Sequence, residues 1–120
     1  MKVVGDNGSM ELVGEFIVIS RAVAGPATSS FLLDQPDKSI AVGSVTEVRF
    51  KAAGLFRGHL RLSINGQTDT RPLVTDDENA VIFSVRSLPE FERFQLALAD
   101  RMRVAAAATD GGLALAHETT

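Results

Sequence analysis

The 120-residue sequence contains no cysteine, no tryptophan and no tyrosine. Without cysteine there is no disulfide framework, no thiol nucleophile and no cysteine-held zinc or iron–sulfur site. Seven phenylalanines are the whole aromatic content, and most fall at positions that read as core, so a base-stacking platform is lacking. Four prolines and ten glycines are too few for a collagenous or low-complexity chain. No apolar run approaches the roughly 20 residues of a membrane-spanning helix. Also missing are a glycine-rich phosphate loop, a Gly-x-Ser-x-Gly elbow and a dinucleotide fingerprint. The expectation is a protein that is not an enzyme and carries no cofactor and no metal.

What is present suffices for a core. A chain of this length with 45% hydrophobic residues is the size of one domain, and such a domain buries roughly two-thirds of the surface its unfolded form exposes. Residues 1–10 read as a flexible N-terminus or tag remnant, since Gly8-Ser9-Met10 has the form of a cloning junction; residues 11–118 read as a single β-rich domain. Met1-Lys2-Val3-Val4 offers one positive charge but no apolar h-region. The chain as written therefore reads as cytoplasmic, and as periplasmic or exported if a leader has been removed.

Hydrophobic periodicity supplies the fold class. Residues 11–21 are dense in β-branched and aromatic side chains (Val13, Phe16, Ile17, Val18, Ile19) and read as one long strand. Gly25-Pro26 ends it, and short strands follow over 29–34 and 39–45. Residues 46–52 show a clean period of two, with Val48, Phe50 and Ala52 on one face and Glu47, Arg49 and Lys51 on the other. The pattern returns with Leu60, Leu62 and Ile64 and runs into Asn65-Gly66, the signature of a type I′ hairpin turn. A return strand is expected over 67–74, and another over 80–86 with Val81, Phe83 and Val85 inward.

Then the period changes. Ser87-Leu88-Pro89-Glu90 has the form of a capping box, and Leu88, Phe91, Phe94 and Leu98 recur at helical spacing, predicting a helix over 88–100. Residues 101–108 alternate again and read as a strand, although the run of alanines from Ala105 is also compatible with continued helix, which propensity alone favours. Thr109-Asp110-Gly111-Gly112 reads as a turn into a last strand over 113–117. The sum is a mainly β chain: an antiparallel sandwich or partly closed barrel of about eight or nine strands with one α-helix.

Charge distribution points to one candidate site. The formal net charge is −3, yet Arg49, Lys51, Arg57, Arg61 and Arg71 cluster in the middle with only Asp69 among them. If 46–52 and 59–65 are neighbouring strands, Arg49, Lys51, Arg57, His59 and Arg61 project from one outward face. That face would suit an anion or single-stranded nucleic acid; the plainer reading is a solvated strand face that charge protects from aggregation. Asp76-Asp77-Glu78 lacks the ligand spacing of a calcium loop and reads as a solvated turn. His59 and His117 belong to no catalytic or metal motif.

The segments Arg61-Leu62-Ser63-Ile64-Asn65-Gly66, Arg71-Pro72-Leu73-Val74 and Ala80-Val81-Ile82-Phe83-Ser84-Val85, followed by the capped helix and Met102-Arg103-Val104, resemble the second half of the invasion-associated locus B family of small exported bacterial β-sandwich proteins. The cysteines usual in that family, including a pair near the turn at 74–79, are absent here. The resemblance implies an envelope-associated accessory or binding role and supplies no catalytic residues.

Three functions follow. The first is a non-enzymatic binding or accessory module that engages a protein partner, or another copy of itself, through a sheet face or edge. The second is an anion or nucleic-acid binder acting through Arg49, Lys51, Arg57 and Arg61. The third is an enzyme of unrecognised type with His59 or His117 beside a carboxylate.

Overall fold

A computed structural model describes residues 1–21, 36–66 and 77–118, with side chains to residue 108. The chain is mainly β, with seven strands among the described residues: β1 (Lys2–Val4), β2 (Ser9–Val13), β3 (Phe16–Ser20), β4 (Lys38–Ala41), β5 (Val45–Lys51), β6 (Gly58–Ile64) and β7 (Ala80–Phe83), followed by one helix, α1 (Leu88–Glu118). They form two antiparallel sheets, ordered β1-β2-β3-β4 and β5-β6-β7, which do not close into a barrel.

The segment expected as one strand over 11–21 is a hairpin. Val13 pairs with Phe16 across Gly14-Glu15, and Gly14 takes a left-handed φ of 57°, as a two-residue turn with glycine in first place requires. Residues 39–45 are likewise not one strand. The chain leaves β4 at Ala41, makes a 3₁₀ turn over Val42–Ser44 and enters β5 in the other sheet. Residues 1–10, expected to be flexible, supply β1 and the start of β2, with Val3 and Met10 buried.

The helix departs most from expectation. It runs to Glu118, so residues 101–108 are helical rather than extended, and the turn and strand expected over 109–117 are helix as well. Alanine is the strongest helix former, and its run from Ala105 outweighs the weak two-residue alternation there. The capping box does not form among the described side chains; a 3₁₀ turn over Val85–Ser87 leads straight into α1, with the Ser87 N–H donating to the Ser84 carbonyl (3.0 Å). The strands expected over 29–34 and 67–74 lie outside the described residues.

One core joins the layers. Val3, Met10 and Ile19 share a cross-strand row in the first sheet, and Leu12, Ile17 and Ile40 form the next. Leu60, Leu62, Val81 and Phe83 of the second sheet belong to the same buried cluster, as do Phe91, Phe94 and Leu98 of α1. Phe83 stacks on Phe91 with centroids 4.1 Å apart and on Phe50 at 5.7 Å, adding directional contact to the area buried.

Candidate binding site

The alternation of β5 and β6 fixes where the basic residues stand. Their register pairs Arg49 with Arg61 and Lys51 with His59, and residues opposite each other across an antiparallel pair share a face. Four of the five expected site residues therefore gather on the outer side of the second sheet. The fifth, Arg57, precedes β6 in the connecting loop and binds Asp6 (Nε to Oδ2 2.7 Å). Like charges directly opposite one another repel, and carboxylates offset them. Arg49 Nε lies 3.2 Å from Glu47 Oε1. Arg61 meets Asp77 Oδ2 at 2.5 Å, with the Arg61 side chain only 12% exposed. His59 does not add to the charge: desolvation, followed by the fields of Arg61, Lys51 and Arg49, pushes it below its ordinary value of 6.5, leaving it neutral at pH 7. Of the cations on this face, Lys51 is the one with no carboxylate partner among the described residues.

Asp77, expected to be a solvated turn residue, is fully buried. Its Oδ1 accepts the Asn79 N–H (2.8 Å) while Oδ2 accepts Arg61 Nε. Beside it lies Arg21, 5% exposed at the end of β3. Arg21 Nη1 donates to the Asn7 carbonyl (2.9 Å), and Nη2 to the carbonyls of Ala80 (2.7 Å), Asp77 and Glu78 (each 3.3 Å). Burial lowers its pKa, while Asp77 and Glu78 pull the other way. Asn7 completes the arrangement: its Oδ1 accepts the Ile82 N–H (2.9 Å), and the Asp6 N–H donates to the Ile82 carbonyl (2.8 Å). The loop after β1 thus extends the second sheet beyond β7. Gly5 permits the approach, since a Cβ there would lie 2.2 Å from the Ile82 carbonyl oxygen. These residues join the two sheets. The Asp-x-Asn spacing at 77–79 signals an Asx turn; nothing in the local pattern marks Arg21 or Asn7.

The outer face of the first sheet is the surface that sequence reading missed. Reading across the register, Val13, Phe16 and Ala41 form one outward row and Lys2, Glu11, Val18 and Ser39 the next. A half-buried antiparallel sheet normally turns polar residues to water. Here Val13 is 49% exposed, Phe16 50% and, nearer the other end, Val4 50%. Phe16 also borders a cleft of about 390 Å³ between the β2–β3 turn, the 3₁₀ turn after β4 and the second half of α1, where Val104 and Ala105 continue the apolar lining. Arg101 Nη1 ties the helix to this turn by donating to the Gly14 carbonyl (2.8 Å).

Catalytic and metal geometry is not evident among the described residues. His59 makes no hydrogen bond to a carboxylate there, and no group of three or more His, Asp or Glu is arranged to hold a metal ion. The His117 side chain lies outside the described part. Compared with known protein families, curated proteins and solved structures, the chain matches none.

Proposed function

We propose that this protein is a non-enzymatic binding module that engages a protein partner through the outer face of its first sheet. One observation carries the reading: Val4, Val13 and Phe16 stand about half exposed on a sheet face that folding alone would leave polar. The Val13–Phe16–Ala41 row forms the apolar end of this face, and Lys2 and Glu11 stand in the next row, between it and Val4, so apolar and charged groups alternate across the recognition surface. The shared core of the two sheets and α1 supports a sandwich-like support beneath it. The anion or nucleic-acid reading has less behind it, because Glu47, Asp77 and Asp6 offset Arg49, Arg61 and Arg57.

A Val13→Thr/Phe16→Thr double variant tests the proposal. Both side chains are half exposed and threonine keeps strand propensity without placing like charges opposite one another, so the variant is expected to stay folded while losing the partner binding, or the self-association, expected of the unmodified chain. Retention of the same assembly by the double variant overturns the reading, as does a chain that stays monomeric and partnerless at every concentration.

A further inference from the structure

The loop between β5 and β6 exposes two large apolar side chains that the fold does not need exposed. Leu55 is 94% and Phe56 76% exposed, the highest values among the large hydrophobics of the described residues. The loop has firm local constraints. Ala53 is 5% exposed and sits in the core, the Gly54 N–H donates to the Phe56 carbonyl (3.0 Å), and the chain folds back so tightly that a Cβ on Gly58 would lie 2.2 Å from the Lys51 carbonyl oxygen. Two adjacent apolar groups are thereby held on a convex turn.

Cations surround that tip. From Val48 to Ile64 the sequence has four Arg or Lys residues and no Asp or Glu, in a chain whose net charge is −3. Lys51 leaves β5 at the loop's base; Arg57 enters from the other side, its charge offset by Asp6. Because Gly58 pairs with Phe83, the residues after β7 lie at the same end of the sheet, adding Val85 (56% exposed) and the exposed Arg86. A convex apolar wedge needs either a matching socket or a deformable apolar surface, and its cationic collar selects an anionic one. A bilayer interface supplies both. No helix among the described residues is long and apolar enough to cross a membrane.

We propose that the β5–β6 tip is a membrane-contact element, in which Leu55 and Phe56 enter the headgroup–acyl boundary of an anionic bilayer while Lys51 and Arg86 remain at the lipid phosphates. This uses none of the residues of the first sheet's outer face, so it stands apart from the proposed protein contact.

The test uses the full chain and its lack of native tryptophan. In a Phe56→Trp variant the only indole sits at the tip. Vesicles of equimolar phosphatidylcholine and phosphatidylserine are expected to blue-shift its emission and shield it from an aqueous quencher, whereas phosphatidylcholine alone leaves it unchanged. In co-sedimentation of the otherwise unmodified chain with the mixed vesicles, Leu55→Ser/Phe56→Ser weakens binding roughly tenfold or more, and Lys51→Ala weakens it about fivefold. Circular dichroism of each variant checks that the fold is kept. The proposal is overturned by no binding to the mixed vesicles at low salt, by undiminished binding of the folded double serine variant, or by an indole that stays in water while the protein sediments.

Discussion

Arg21 shows how much a single residue can hold. Its guanidinium reaches four carbonyls on two segments that are distant in sequence, and removing one member of a buried charged network leaves the others unpaired. Arg21→Met is therefore expected to cost about 3 kcal/mol or more, lowering the melting temperature by about 10 °C. Chemical denaturation measures it; a loss below about 1 kcal/mol would mean that the carbonyls find other donors. His59 makes a prediction of opposite character. Its folded pKa lies below the ordinary 6.5, so as pH falls below that value the unfolded chain takes up the proton first. Stability is complete above pH 6.5 and declines as pH drops from there toward the folded pKa. His59→Gln is expected to flatten that part of a stability-against-pH curve, and an unchanged slope would assign it to other groups. Single residues were also where sequence was least informative. Arg49, Lys51, His59 and Arg61 were legible because alternation fixes their side of the strand. The burial of Asp77 and the role of Arg21 depend on segments more than fifty residues apart in sequence, and no local pattern records that meeting.

Among the elements, legibility followed the strength of the period. β5 and β6 alternate cleanly and occupy the expected places, and Asn65 and Gly66 both have positive φ (53° and 77°), as the predicted turn demands. The β2–β3 hairpin was hidden because Val13 and Phe16 are apolar on both sides of a two-residue turn, so the hydrophobic run hides the reversal. For α1, two local signals conflicted. Alternation at 101–108 and the glycines at 111 and 112 suggested strand and turn, while the alanines favoured helix, and the helix continues through both. Glycine within a helix costs about 1 kcal/mol relative to alanine. Gly111→Ala/Gly112→Ala is thus expected to increase helical circular dichroism and leave the melting temperature unchanged or higher. Loss of helicity and stability would instead show that these glycines form a turn.

At the scale of the molecule, each sheet turns one side to a common core, and the two outer sides differ. The second sheet's outer side is charged but largely compensated; the first sheet's carries half-exposed Val4, Val13 and Phe16 among charged and polar neighbours. The class of fold was visible in the sequence because period-two segments dominate it, whereas the division into two sheets was not, because it depends on a three-residue 3₁₀ turn at 42–44 with no distinctive composition. The half-exposed apolar row of the first sheet is the proposed binding surface. A photo-crosslinking side chain placed at position 16 of the full chain, with one at the exposed helix position 92 as control, tests it most directly in the cell. A discrete protein adduct at 16 and none at 92 is the predicted result; no adduct at 16, or the same adducts at both positions, would contradict it.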